Sequence, residues 1–130
     1  MKALKPGIKV WGAEPETAAP AARSFAMGGP QVFKEWQASF VDGAGGQSVF
    51  PRMWQRMQPV VDGCIVVTLD ETKRAMRLMA EKARVIAEGA GALGLAAALT
   101  GKVGKGPVVA IVSGGNIDLE KFSELIAAAV

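Results

Sequence analysis

At 130 residues, half of them apolar and 21% charged, the chain has the size and composition of one ordinary globular domain, which excludes fibrous, mucin-like and disordered classes. Fifteen Lys and Arg against twelve Asp and Glu leave a formal charge of +3, too small and too scattered for a nucleic-acid footprint. With no histidine and one cysteine, Cys64, disulfide frameworks, His/Cys zinc sites and Ser-His-Asp or Cys-His catalysis are excluded, so any chemistry must use other groups.

In chain order, Ile8 to Ala13 alternates and is β-rich until Glu14-Pro15, which predicts a short strand ending in a carboxylate. Thr17 to Met27 is Ala-rich and helix-competent with Pro20 in its first turn, and Gly28-Gly29-Pro30 ends it. Val32 to Trp54 loses clear period, although seven of the eight aromatics lie between Trp11 and Trp54. Most of this region reads as loop, with a short helix over Phe50 to Gln58.

Cys64-Ile65-Val66-Val67 predicts a buried strand. Thr68 and Glu71 form a capping box, and Thr72, Met76, Met79, Ala83 and Ile86 fall on one helical face. Ala92 to Leu99 is apolar nearly all round and predicts a helix covered on several sides. Pro107 to Val112 is wholly apolar, the pattern of a parallel strand buried on both faces. Asp118 caps a last amphipathic helix bearing Leu119, Phe122, Leu125 and Ile126. The expected architecture is α/β, an open, mostly parallel sheet with flanking helices in a single domain over 1–130.

The longest uncharged run, Gly89 to Gly101, is broken by glycines and too short to cross a bilayer, and Met1 to Pro6 lacks the apolar core of a signal peptide. A cytoplasmic protein is expected, without membrane or nucleic-acid partners. Glycine, at 16 residues, is about twice its usual share and gathers in turns, as around a ligand or at tight packing.

Two glycine motifs carry chemistry. Gly89-Ala90-Gly91-Ala92-Leu93-Gly94 satisfies G-x-G-x-x-G and opens a helix, with Asp118 standing where a ribose-binding acid would follow. The dinucleotide fingerprint, however, needs a strand before its first glycine, and a charged helical stretch precedes this one. Glycines that let an apolar helix pack closely are the better reading. Ser113-Gly114-Gly115-Asn116 follows the apolar run directly, where open α/β sheets bind ligands. A hydroxyl followed by two glycines can hold a ring or an anion there, and a plain turn is the alternative.

Taken in order, Ala3-Leu4-Lys5-Pro6-Gly7-Ile8-Lys9-Val10, Gly12-Ala13-Glu14-Pro15, Val41-Asp42-Gly43, Val66-Val67-Thr68-Leu69-Asp70-Glu71, Ala87-Glu88-Gly89-Ala90-Gly91 and Val112-Ser113-Gly114-Gly115-Asn116-Ile117-Asp118 resemble the second half of the threonine dehydratase and serine racemase family. These are pyridoxal-phosphate enzymes of fold type II. The resemblance implies that Ser113 meets the pyridine nitrogen, that Glu88 stands near the ring, that Gly43 passes close to it, and that Gly114 and Asn116 shape the turn beneath. Glu14 and the carbonyl of Ala18 match a cation site of several relatives, implying a divalent or monovalent ion. Pro20 stands where the next acidic ligand would be, and an exposed Glu at a strand end is the other reading.

No Ser-x-Lys-x-Arg pattern and no tetraglycine loop occurs, so the resemblance implies that the Schiff-base lysine and the phosphate loop lie outside this chain. Lys34, Lys73, Lys102 and Lys105 read as solvated surface lysines. The expectation is the carboxyl-terminal portion of a catalytic domain, a truncated polypeptide or one piece of a split enzyme, without catalytic residues of its own and inactive alone. Its implied partners are the missing amino-terminal half, a homo-oligomer and a small hydroxy amino acid, which the intact enzyme would convert to a 2-oxoacid and ammonia. In that setting the aromatic and methionine cluster from Trp36 to Met57 covers surface of the missing half or of a second subunit, or else forms an internal mini-core. A non-catalytic interaction module derived from the same fold, and less favourably a dinucleotide-binding domain, are the alternative functions.

Overall fold

The computed structural model describes residues 1–129; Val130, the last residue of the expected domain, lies outside the described residues. Two parallel strands, β1 (Trp11–Pro15) and β2 (Gly63–Val67), pair in register from Trp11 opposite Gly63 to Pro15 opposite Val67. The first strand starts three residues later than its alternation predicts and runs through Pro15. Proline is tolerated there because a terminal strand position can spare its N–H.

Helix α1 (Pro20–Met27) opens on proline and closes on Gly28 at φ 73°, a left-handed turn that glycine adopts without strain. The loop that follows leads to α2 (Pro51–Met57), close to the predicted span. The aromatic cluster divides here. Trp54 is buried and packs edge-on against Phe25 of α1 with centroids 5.0 Å apart, whereas Phe50 and Met53 remain open to solvent.

Helix α3 (Leu69–Leu78) begins at the predicted capping box: the Glu71 amide donates to Thr68 Oγ1 at 3.0 Å and the Thr68 amide to Glu71 Oε2 at 2.7 Å. A third acceptor, Glu16 Oε1, takes the Leu69 amide at 2.8 Å, so all three satisfy donors that an uncapped helix leaves orphaned. Thr72, Met76 and Met79 are buried as their spacing predicts. The helix does not reach Ile86. It widens into a π turn at Met79–Ala83 and stops at Arg84, whose φ of 57° is the one positive non-glycine value among the described residues. Ala83 and Ile86 are consequently exposed.

Helix α4 (Gly89–Leu99) starts three residues before its predicted span and buries Gly91, Ala92, Leu93, Ala96 and Ala97, while Leu99 is exposed. It packs against α3 and both strands. Asp118 caps α5 (Leu119–Ala127), accepting from the amides of Glu120 at 2.9 Å and Lys121 at 3.3 Å. Phe122 and Leu125 enter the core, and Leu119 faces solvent. Ile65 and Val67 of β2, Met76 of α3, Leu93 of α4 and Phe122 of α5 converge on one cluster with Val41. Burial of each large side chain contributes about 1.5–3 kcal/mol.

One expected strand is absent from the described residues. Pro107 to Val112 carries no regular secondary structure, and Val109 and Ile111 are 84% and 66% exposed. Its apolar pattern is that of an inner strand, but a strand exists only when neighbouring backbone pairs with it, and β1 and β2 are bonded to each other alone among the described residues.

Candidate functional site

At the amino end of α4 three separate stretches of chain meet. The first is the loop after Ser39. Val41 is fully buried and anchors it, and a 3₁₀ turn at Asp42–Ala44 follows, in which Asp42 Oδ1 accepts the Gly43 amide at 2.8 Å. Trp36 steadies the far side through its indole N–H, which donates to the Gly45 carbonyl at 2.8 Å. A Cβ on Gly43 would stand 3.0 Å from the Ala90 Cβ and 3.9 Å from Glu88 Oε1. The loop therefore lies flat against the helix start.

Glu88, the N-cap of α4, forms the second stretch. Its amide donates to the Gly114 carbonyl at 3.1 Å, and a side chain on Gly114 would run into its carboxylate. The third stretch is the turn after the apolar run. Ser113 is exposed, Gly114 half-buried, and the Ile117 amide closes the turn on the Gly115 carbonyl at 3.0 Å.

Glu88, Gly43 and Gly114 thus share one surface, with exposed Ser113 next to Gly114 in the chain and exposed Asn116 on the same turn. A hydroxyl, a carboxylate and side-chain-free backbone at a helix amino end suit a flat polar ring: the glycines permit close approach and the hydroxyl can donate or accept. The sequence gives Gly91 a packing role but does not name its neighbour. Its Cβ would overlap the Gly114 carbonyl oxygen, and that of Gly94 would stand 2.9 Å from the Ile111 carbonyl oxygen. The second and third glycines of the G-x-G-x-x-G pattern are packing positions, as the spacing favoured, but they pack on an irregular segment and not on a sheet. No strand leads directly into Gly89, since α3, its π turn and an irregular link precede it.

Glu14, in β1, and Ala18, in the link from β1 to α1, lie elsewhere. Glu14 is half-buried, not exposed as a lone strand-end acid would be, and it is already engaged: Oε1 accepts the Ala21 amide at 2.9 Å and Oε2 the Ala22 amide at 2.7 Å. Burial pushes its carboxyl above the usual range, and the two amides pull the other way. No group of three or more His, Cys, Asp or Glu gathers among the described residues. A carboxylate committed to a helix end, with Pro20 following, is a poor donor set for a cation. Cys64, beside Gly12, is driven up to about 12 by burial and by the negative charge of Glu14.

Of the lysines, Lys34, Lys102 and Lys105 are exposed, while Lys73 is half-buried and pairs with Asp70 at 3.0 Å. No helix among the described residues is long and apolar enough to cross a membrane.

The chain belongs to a family of pyridoxal-phosphate-dependent enzymes, whose family model matches residues 1–114. Its relatives are more particular. It is 34% identical to a catabolic L-threonine dehydratase of Staphylococcus aureus, over 97% of this chain and 38% of that enzyme. A threonine deaminase from T.th. superposes with a TM-score of 0.84 at 33% identity, covering 91% of this chain and 40% of the other. The serine racemase of Dictyostelium discoideum gives 0.78 at 36% identity, over 91% and 38%. The fold is accordingly a part of the fold type II α/β architecture, and the chain spans about two fifths of the length of the relatives it matches.

Proposed function

We propose that this chain is the carboxyl-terminal portion of the catalytic domain of a pyridoxal-phosphate-dependent ammonia-lyase acting on a small hydroxy amino acid such as threonine or serine, and that it has no activity alone. The observation that carries the reading is the convergence of Gly43, Glu88 and the Ser113–Gly114 turn at the amino end of α4. Pyridoxal phosphate, when bound, supplies an electron sink for the charge left when the substrate loses its α-proton. Ser113 offers a neutral hydroxyl to the pyridine nitrogen, which leaves the ring a moderate sink, sufficient for loss of a β-hydroxyl. Gly114 and Gly43 let the ring lie against backbone, and Asn116 and Glu88 border it. The Schiff-base lysine and the phosphate loop belong to the remainder of the enzyme, since no Ser-x-Lys-x-Arg or tetraglycine pattern occurs in this sequence.

The test is a chimera in which this chain replaces the matching segment of the Staphylococcus aureus dehydratase. Release of a 2-oxoacid from threonine or serine is expected from the chimera and not from the isolated chain. Ser113→Ala should retain the cofactor, shift its absorbance and lower kcat by about 100- to 1000-fold, the effect of removing one positioned polar group. A chimera that folds and binds the cofactor, yet whose Ser113→Ala variant matches it in spectrum and rate, would overturn the assignment of Ser113. Turnover by the isolated chain would overturn its inactivity.

A further inference from the structure

Gly89 is the first residue of α4, and local physics gives no reason for a glycine there. It is not one of the glycines with positive φ, so no left-handed turn requires it. Its amide donates to no backbone carbonyl among the described residues, so even proline, well suited to a first helical position, would lose no bond. Glycine also loses more chain freedom on folding than any other residue. The reason is space. A Cβ at Gly89 would stand 2.9 Å from both Cδ2 and the carbonyl oxygen of Phe40, and 3.1 Å from Val41 Cγ2, where carbon atoms in favourable contact sit about 3.5–4.0 Å apart.

Phe40 and Val41 open the loop that carries Gly43. That loop meets α4 a second time, where a Cβ on Gly43 would lie 3.0 Å from the Ala90 Cβ. Both of its ends are clasped. Ser39 Oγ accepts the Thr17 hydroxyl and the Val41 amide, each at 3.2 Å, and the Trp36 indole donates to the Gly45 carbonyl at 2.8 Å. Between the clasps the loop rests on the head of the helix, and the bare backbone at 89 sets its height. The Phe40 carbonyl cannot rotate aside, so it retreats only if the loop moves with it.

We propose that Gly89 is a positioning residue: by leaving room for Phe40 and Val41 it sets how closely the Gly43 loop lies on the start of α4, and so how closely a flat ring can approach the surface shared by Gly43, Glu88 and Gly114. The proposal rests on the reading of that surface as the seat of the cofactor. Gly89 itself is buried and acts through the loop.

Amide hydrogen exchange on the full chain, read residue by residue by NMR, tests the seat. Gly89→Ala should speed exchange of the Val41 and Gly45 amides, bonded to Ser39 Oγ and the Asp42 carbonyl, about tenfold or more, and leave the Thr72 amide of α3 within about twofold. Titration of the Staphylococcus aureus chimera with pyridoxal phosphate tests the role. Gly89→Ala should weaken cofactor binding and lower kcat, each by about 10- to 100-fold, as a displaced positioning element does. Adding Phe40→Ala should return part of the loss, so that the double variant exceeds the product of the single effects by about threefold or more. Gly46→Ala, whose Cβ would meet nothing within 4 Å, should stay within about twofold of the parent chimera. Unchanged exchange at Val41 and Gly45 overturns the proposal, as do equal acceleration at Thr72 and strictly multiplicative losses. In an active chimera, parent-like cofactor binding and rate in Gly89→Ala overturn it even if the loop exchanges faster. Should Gly89→Ala fail to fold, Phe40→Ala must restore folding, and its failure to do so refutes the seat. A parent chimera that binds no cofactor overturns the enzymatic reading and this proposal with it, whereas an active parent with a silent Gly89→Ala overturns this proposal alone.

Discussion

Substitution of Gly91 by alanine tests whether α4 really lies on the backbone of the glycine turn. In a helix interior, Gly→Ala alone is worth about 1 kcal/mol in favour of the folded chain, and less in the first turn, where Gly91 stands. Against this, the new Cβ would overlap the Gly114 carbonyl oxygen and approach the Gly114 nitrogen and carbonyl carbon to 3.0 and 3.1 Å. The obstacles are backbone atoms, which cannot rotate aside, and overpacking of this kind costs about 1–3 kcal/mol. The same carbonyl accepts the Glu88 amide at 3.1 Å, and losing that bond costs about 1 kcal/mol more. The balance is a net loss of about 1–3 kcal/mol, read as a lower urea midpoint with unchanged slope by circular dichroism. Gly46→Ala is the control, since its Cβ would meet nothing within 4 Å, and it should move stability by less than about 0.5 kcal/mol. A Gly91→Ala chain as stable as the parent, or more so, would show that the turn does not rest on α4 and would remove the geometric basis of the site.

Two further outcomes follow from charge and burial. Asp62 accepts from Lys2 at 2.7 Å, the Val10 amide at 2.8 Å and Lys9 at 3.2 Å, and these partners, Lys2 first, hold its carboxyl well below the usual carboxylate range. A folded-state value below the unfolded one near 3.9 gives stability that is present above about pH 5 and lost as the pH falls. Denaturation curves of the parent and Asp62→Asn should therefore converge on acidification, and should converge in high salt as well; a pH-independent gap would contradict this. Cys64, with its thiol pushed up to about 12, should react with iodoacetamide at pH 8 roughly a thousandfold more slowly than a free cysteine, and an ordinary alkylation rate in the folded chain would refute its burial beside Glu14.

What the sequence made legible were the elements whose causes are local. The capping box at Thr68 and Glu71, the β-branched run of β2 and the Asp118 cap depend on neighbours a few residues away, and each was found where expected. The end of α3 was not, because the apolar spacing continues to Ala83 and Ile86 with no glycine or proline to mark a stop, and the π turn and left-handed Arg84 come from the wider structure. The strand at 107–112 illustrates the opposite failure: its composition is right, but pairing is supplied by other backbone, and β-propensity cannot replace it. At the site, the bond between Glu88 and Gly114 joins residues 26 apart, a distance that no periodicity reports. Ordered motifs singled out those residues through a family resemblance. The second and third glycines of G-x-G-x-x-G, by contrast, could be read as packing positions from the residues alone.

The exposed valines and isoleucine also bear on the chain as a material. Val108-Val109-Ala110-Ile111-Val112 is an uncharged, proline-free window in which four of five residues are β-branched, the composition from which cross-β stacking grows. Just upstream, Lys102 and Lys105 stand exposed among the left-handed glycines 101, 104 and 106. Charges and turns flanking such a window act as gatekeepers against self-assembly. Two lysines that the chemistry does not use are thus placed to oppose self-assembly of the chain on its own.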